Sequence, residues 1–158
     1  MVEVPEYIFE AKSELDNNNF STRTLMLPQL DGNRYITYDW KYFSLSSIPS
    51  MLTRKPVLLN DATLNENEPG LVNAIYEQIT ESSQSPLLKY TGVDRAIIRD
   101  DFQGEERIDY STTITKDVIY KNSEYTFDKQ IGEWKLFNIR DEEIKPLVYI
   151  PQSFSYIL

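Results

Sequence analysis

The chain has 158 residues, of which 41% are apolar and 26% are charged, and this balance is typical of one globular domain with its own core. With 16 basic and 25 acidic residues the formal net charge is −9, which argues against direct binding to nucleic acid or to an anionic membrane. Cysteine and histidine are both absent. Their absence excludes disulfides, thiol and Ser-His-Asp nucleophiles, and zinc sites built on thiolate or imidazole. We therefore predict a single domain over residues 1–158 that depends on its core for stability.

The first part of the chain predicts short strands joined by turns. Residues 7–12 are interpreted as a strand or extended lead-in, residues 14–21 as a loop and residues 22–27 as a strand. Asp31-Gly32-Asn33 supplies residues that tolerate positive φ, which predicts a hairpin turn. The partner strand is predicted over residues 34–43, because apolar and polar residues alternate there with period two. The residues on its apolar face are Ile36, Tyr38, Trp40 and Tyr42. We interpret this face as part of the core, with an exposed recognition surface as the alternative.

One helix is predicted in the middle of the chain, near residues 68–82. Its apolar residues recur at helical spacing, and they are Leu71, Val72, Ile75 and Ile79. Pro69 suits the first turn of a helix, and Pro86 prevents the helix from continuing. A single helical turn is predicted before it, within residues 46–54.

From residue 87 onward the pattern predicts one strand after another. The predicted strands are residues 96–99, 107–115, 117–121, 124–128, 133–139 and 147–150. Gly132 lies at the expected turn of a hairpin, and residues 141–145 are interpreted as a helical turn. Strands before and after one helix indicate an α+β fold. The predicted architecture is a mainly antiparallel β-sheet of about six to nine short strands, packed with one main helix near 68–82 and one or two short helical turns.

The segment at residues 99–110 concentrates negative charge around Gly104. Its acidic residues near that glycine are Asp100, Asp101, Glu105 and Glu106. Their spacing differs from that of an EF-hand calcium loop. Arg99 and Arg107 flank the acids and can neutralise them, so we interpret the segment as a solvated hairpin tip. Two alternatives stay open, a face that docks a partner and a cation site.

The C-terminal tail, residues 146–158, is the second candidate for a contact surface. It is rich in apolar and aromatic residues, and a chain end of this kind is seldom left in water. We expect it either to dock as an edge strand on its own sheet or to pack on another chain. Aromatic residues are also concentrated in protein interfaces. Together with the acidic residues, the tail supplies the predicted partner-binding set, which is Tyr149, Phe154, Tyr156, Ile157, Leu158, Asp100, Asp101, Glu105 and Glu106.

Function is inferred by exclusion, because no motif in the sequence is specific for a reaction. We expect a non-catalytic protein–protein interaction protein, a small acidic subunit or adaptor of a larger intracellular assembly. No catalytic residue, cofactor or metal is expected, and the chain is not expected to be an enzyme. One alternative is an acidic nucleic-acid mimic that inhibits a basic nucleic-acid-binding target. Another is a carboxylate-dependent enzyme or a cation-binding protein.

The expected partner is another protein within a multi-subunit assembly, and a homo-oligomer is left open. Neither a signal peptide nor a transmembrane segment is recognised in the sequence. The expected location is therefore intracellular, with no membrane contact.

Overall fold

The computed structural model describes residues 2–17, 21–29, 36–44, 48–59, 70–82, 87–102 and 111–140. Over these residues the chain forms four α-helices, one 3₁₀-helix and seven strands. In chain order they are α1 (Glu6–Asp16), β1 (Arg23–Leu27), β2 (Ile36–Thr37), β3 (Phe43–Ser44), α2 (Ile48–Leu52), β4 (Val57–Leu58), α3 (Gly70–Ser82), the 3₁₀-helix (Leu88–Thr91), β5 (Val93–Arg99), α4 (Ser111–Lys121), β6 (Tyr125–Ile131) and β7 (Trp134–Ile139).

The main sheet is mixed, with strand order β4-β1-β5-β7-β6. Strand β1 runs parallel to both β4 and β5, whereas β7 pairs antiparallel with β5 and with β6. Strands β2 and β3 form a separate antiparallel pair. The fold is therefore α+β, but the predicted mainly antiparallel sheet is wrong, because β4, β1 and β5 are parallel to one another.

The physical reason for this error is visible in the two central strands. Residues 24–27 of β1 and residues 96–99 of β5 are buried at every position. A parallel strand is covered on both faces, so it needs a continuous run of buried residues rather than an alternating one. The prediction relied on alternation, which is typical of antiparallel sheets with one wet face.

Each face of the main sheet has its own core. On one face, α3, α4 and the 3₁₀-helix pack against residues such as Leu25 and Ile98. On the other face, α1, α2 and the β2–β3 hairpin pack against Met26 and Ile97, the alternate residues of the same strands. We call the first the aliphatic face, whose buried residues are Leu25, Leu27, Leu58, Ile75, Tyr76, Ile79, Leu88, Val93, Ala96, Ile98, Ile119, Tyr125 and Phe137. We call the second the aromatic face, whose buried residues are Ile8, Ala11, Leu15, Met26, Ile36, Tyr38, Ile48, Ile97, Phe102, Trp134 and Leu136.

Several predicted strands are helices in the structure. The strand expected at residues 7–12 is wrong, because this segment lies in α1. The buried residues of α1 recur every three to four positions, as a helix packed on one side requires, and they are Ile8, Ala11 and Leu15. The strands expected at 107–115 and 117–121 are wrong from Ser111 onward, because α4 occupies that segment. Tertiary packing overrides the strand propensity of the β-branched residues in α4.

The strand expected over residues 34–43 is interrupted by a turn. Within the described part of this segment, Ile36–Thr37 and Phe43–Ser44 form strands, and they pair with each other across the turn. By contrast, the helix expected near 68–82 is present as α3. The hairpin expected around Gly132 is present as β6–β7, with Gly132 at a φ of 55°.

The other predictions lie outside the described residues or are untested. The expected turn at residues 31–33, the helical turn at 141–145, and the strand and tail at 147–158 lie outside. The single domain over residues 1–158 stays a prediction. Among the helices that the structure describes, none is long and apolar enough to cross a membrane.

Candidate functional site

Several polar and aromatic side chains meet where the parallel strands β1 and β5 end. Strand β5 ends at Arg99 and is followed by Asp100, Asp101 and Phe102, while β1 ends at Leu27. In sheets of this kind, ligand sites are usually found outside the carboxyl ends of parallel strands. The candidate functional site therefore lies at this end of the sheet.

Arg99 is a structural residue, buried to 1% exposure. Its guanidinium donates long hydrogen bonds to the carbonyl oxygens of Leu27 (3.4 Å) and Pro28 (3.5 Å). It also lies over the Phe102 ring, 4.8 Å from the centroid, where a cation is attracted to the electron-rich ring face. Its side chain joins the ends of β1 and β5 inside the core, and its charge acts to lower the pKa of the neighbouring Asp101.

Asp101 is fully buried, with 0% exposure. The Tyr7 hydroxyl donates a hydrogen bond of 2.8 Å to Asp101 Oδ2. Asp101 Oδ1 and Trp134 Nε1 are both buried and make no hydrogen bond to any described group. Burial raises the pKa of Asp101 above its ordinary value, although the Tyr7 hydroxyl and the nearby Trp134 indole N–H act to lower it. We call Tyr7, Trp40, Asp101 and Trp134 the Asp101 cluster.

Tyr7 is positioned by its neighbours on the β6–β7 hairpin. Its ring meets the Trp134 ring edge-on, with 6.1 Å between centroids and an interplanar angle of 73°. A Cβ atom on Gly132 would lie 2.2 Å from Tyr7 Cγ, far inside van der Waals contact. Burial and the Asp101 carboxylate raise the pKa of Tyr7 well above its ordinary range. Because Gly132 has no side chain, it can adopt the left-handed conformation of the turn and also allows α1 to approach closely.

Asp100 differs from its neighbour because two lysines pair with it. Lys135 Nζ lies 3.0 Å from Asp100 Oδ2, and Lys116 pairs with Oδ1. Burial alone would raise the pKa of Asp100, but the hydrogen bonds from Lys116 and Lys135 outweigh it and hold the pKa below the ordinary value. The negative charge of Asp100 is thus balanced within the protein.

The turn between β2 and β3 covers this end of β5. Tyr38 N donates to Tyr42 O (2.8 Å), and Lys41 N donates to Tyr38 O (3.0 Å). The backbone N–H of Asp39 donates to Asp101 O (3.0 Å), and Tyr38 forms a bridge with Phe102. Lys41 has a φ of 64°, in the left-handed region. The pattern is a three-residue hairpin loop whose last residue is left-handed, a position that usually carries glycine.

The rings of this turn form one stacked group. The rings of Trp40 and Tyr42 are nearly parallel, with an interplanar angle of 2° and 5.0 Å between centroids. Tyr38 lies beneath them, 5.3 Å from Trp40 and 6.0 Å from Tyr42 between centroids. Tyr38 is fully buried, and its hydroxyl accepts a hydrogen bond from the backbone N–H of Ile48 (3.1 Å). We call residues 38–43 the aromatic turn.

The aromatic turn has an anchored inner side and an exposed outer side. Trp40 Nε1 is buried and lies near the Tyr7 hydroxyl, where it acts to lower the pKa of Tyr7, although the two atoms do not reach hydrogen-bond geometry. Asp39 and Lys41 are exposed, Trp40 and Tyr42 are half-buried, and Phe43 is 66% exposed. The turn therefore offers aromatic surface flanked by one carboxylate and one ammonium group.

The structure describes two of the predicted partner-binding residues, Asp100 and Asp101. They are adjacent in the chain, but Asp100 is paired with lysine whereas Asp101 is fully buried. Neither lies on a solvated hairpin tip. The others lie outside the described residues, namely Glu105, Glu106, Tyr149, Phe154, Tyr156, Ile157 and Leu158. Partner binding by this set stays a prediction.

Sequence reasoning missed Tyr7 and Trp134 as members of one cluster, because nothing in the chain relates positions so far apart. The sequence pattern singles out Trp40, but as part of a strand. Among the described residues, no group of three or more His, Cys, Asp or Glu side chains could hold a metal ion.

Comparison with known proteins relates the chain to one enzyme. No protein-family model and no curated protein matches the sequence. Among solved structures, the chain is similar to the arabinofuranosyltransferase AftD from Mycobacteria, with a TM-score of 0.72 and 12% sequence identity over 89% of this chain. Two structures of a mutant of that enzyme match with TM-scores of 0.72 and 0.68, at 12% and 13% identity. The chain spans 13% of the length of the mycobacterial enzyme. At such low identity the likeness shows a common fold.

This comparison corrects the function expected from the sequence. The fold of this chain occurs as one part of a glycosyltransferase. On this finding, the expected non-catalytic adaptor is wrong, and so is the expectation that the chain is not an enzyme. The alternative of an acidic nucleic-acid mimic gains no support from this fold.

Proposed function

We propose that the chain is a domain of a glycosyltransferase and that it holds the saccharide on which the enzyme acts. The observation that carries the proposal is the likeness in fold to an arabinofuranosyltransferase, which extends over 89% of this chain. A unit that makes up 13% of the related chain is of the size expected for one domain of a larger enzyme.

The charge of the chain favours a neutral ligand. At a net charge of −9, the protein repels phosphorylated or carboxylated ligands at long range. A neutral saccharide carries no such penalty, and its hydroxyl groups are recognised by carboxylates and amides placed beside aromatic rings. Aromatic side chains and carboxylates are both present at the carboxyl end of β5, where ligands of related sheets bind.

The Asp101 cluster supports this function by holding the aromatic turn in place. Asp101 O accepts the backbone hydrogen bond from Asp39, and its side chain accepts the hydrogen bond from Tyr7. The cluster thereby connects α1, β5 and the aromatic turn. Its acidic group has no exposed surface of its own.

Saturation-transfer NMR on the 158-residue chain tests the proposal. The panel comprises arabinofuranosyl oligosaccharides, glucopyranosyl oligosaccharides of equal length and an acidic oligosaccharide. We expect saturation of the arabinofuranosyl protons and none of the acidic oligosaccharide. The proposal fails when no saccharide of the panel receives saturation at millimolar concentration.

Two further expectations are kept as proposals. An intracellular location and a protein partner within a larger assembly are both compatible with a domain of this kind. Fractionation of cells that express the tagged chain, followed by cross-linking, tests both.

A further inference from the structure

We propose that the saccharide binds at the aromatic turn, with the Trp40–Tyr42 stack as its platform and Asp39 as an acceptor for its hydroxyl groups. This inference rests on the proposed function and assigns it to a surface. The ligand class is a neutral oligosaccharide with furanosyl rings.

The ring geometry suits this ligand. The rings of Trp40 and Tyr42 are nearly parallel and stacked on each other, and both stay partly exposed. Aromatic faces carry negative potential, and the polarised C–H groups of a sugar ring pack against such faces. The exposed ring of Phe43 extends the aromatic surface beyond the stack.

The platform is held rigid from below. Tyr38 is buried under both rings, and its hydroxyl is fixed by the backbone N–H of Ile48. The indole N–H of Trp40 is buried on the side of Tyr7. A surface that is already ordered loses little conformational entropy on binding, which favours affinity for a small polar ligand.

The backbone of the turn places a charge on each side of Trp40. Asp39 and Lys41 are both exposed and directly precede and follow the indole. Lys41 has a φ of 64°, which is unfavourable for a residue with a side chain. Strained residues of this kind are concentrated at functional sites.

The neighbouring acids Asp100 and Asp101 are poorly placed to accept hydrogen bonds from the hydroxyl groups of the saccharide. Asp101 has 0% exposure, and Asp100 is paired with Lys116 and Lys135. Asp39 is exposed beside the stacked rings, and its backbone is tied to Asp101. Among the described acids at this end of β5, Asp39 is the exposed carboxylate that directly adjoins the stacked rings in the chain.

Isothermal titration of the 158-residue chain with an arabinofuranosyl oligosaccharide tests the site. The variants are Trp40→Ala and Asp39→Asn, and the control is Tyr90→Ala, which removes an aromatic residue that is 55% exposed just before β5 begins. We expect Trp40→Ala to weaken binding by about tenfold or more, as loss of a central aromatic contact does. We expect Asp39→Asn to weaken it by about threefold to tenfold, and Tyr90→Ala to leave it within about twofold.

Circular dichroism first shows whether each variant is folded. Where Trp40→Ala is unfolded, Asp39→Asn decides, because its side chain is exposed and its backbone hydrogen bond is kept. The site is assigned wrongly when the unaltered chain binds the oligosaccharide and the folded variants bind it as tightly. When the unaltered chain binds no saccharide at all, the proposed function fails together with the site.

Discussion

The two faces of the main sheet are built on different chemistry. The aliphatic face buries the Tyr76 hydroxyl group, which donates a 2.6 Å hydrogen bond to Met26 O. The aromatic face buries the Asp101 carboxylate and the indole N–H of Trp134, and neither is fully satisfied by described groups. Buried polar groups without complete hydrogen bonding lower stability. The aliphatic face thus contributes mainly to stability, whereas the aromatic face contains buried polar groups that lower stability and hold the aromatic turn in position.

The largest expected effects are those of the aromatic residues on opposite faces of β7. Trp134 and Phe137 are each 2% exposed, the first on the aromatic face and the second on the aliphatic face. We expect Trp134→Ala and Phe137→Ala each to lower the free energy of unfolding by about 3–5 kcal/mol, because a large buried ring leaves a cavity. Urea denaturation measures both values. An unchanged midpoint for either variant would contradict the assignment of that face as core.

A smaller effect is expected at the contact between the β6–β7 hairpin and α1. Gly132→Ala should cost about 1–2 kcal/mol for the left-handed backbone, with a further cost for displacing the Tyr7 ring, since the new Cβ would lie 2.2 Å from Tyr7 Cγ. A double-mutant cycle with Tyr7→Ala isolates the contribution of the ring, while the Tyr7 Cβ, which would lie 2.5 Å from the new Cβ, remains. We expect Gly132→Ala to cost less in the Tyr7→Ala background. Equal costs in both backgrounds would show that the ring and the glycine are not in contact.

The adjacent acids Asp100 and Asp101 are expected to respond to pH in opposite directions. The folded pKa of Asp100 is lowered, so its charge adds stability above the ordinary pKa of about 3.9, and this stability is lost as pH falls through the folded value. The folded pKa of Asp101 is raised, so stability is lost as pH rises through the interval between the ordinary and the folded value.

Substitution to Asn tests this difference. At pH 7 we expect Asp100→Asn to lower the free energy of unfolding by about 1 kcal/mol, as for a partly exposed ion pair. Asp101→Asn is expected to raise it, since the amide oxygen still accepts the Tyr7 hydrogen bond. Both differences should shrink towards pH 3 in urea denaturation curves. If both substitutions changed the free energy of unfolding in the same direction at pH 7, the opposite roles assigned to the two carboxylates would be contradicted.

The smallest expected effect is at Lys41, where the backbone is left-handed. We expect Lys41→Gly to be more stable than Lys41→Ala by about 0.5–1 kcal/mol, because glycine adopts this conformation without a steric penalty. Thermal melts of the two variants give the difference. Equal melting temperatures would show that the turn carries no strain.

Local patterns allowed part of this fold to be predicted from the sequence. Helix α3 follows from the spacing of Ile75 and Ile79, and the β6–β7 hairpin follows from Gly132 between two strand-like segments. The parallel pairing of β1 with β5 could have been suspected from their continuous apolar runs. The helices α1 and α4 were missed because tertiary contacts decide their structure, as the burial of Ile8 and Ile119 shows.

The candidate site was less predictable than the fold. The alternation of Tyr38, Trp40 and Tyr42 fits a strand as well as it fits a turn, and only the hydrogen bonds of the backbone decide between them. The contact between Tyr7 and Asp101 joins positions 94 residues apart. Such a contact leaves no periodic signal in one sequence, so the cluster becomes visible only in the folded chain.

The chain has two tryptophans, and their indole N–H signals in a ¹⁵N–¹H NMR spectrum give the most direct test of saccharide binding at the aromatic turn. A Trp40→Phe variant assigns the two signals. On addition of an arabinofuranosyl oligosaccharide, we expect the Trp40 signal to shift with a saturable dependence on concentration and the signal of buried Trp134 to shift less. A saccharide that binds without moving the Trp40 signal, or the absence of any binding, would contradict the account.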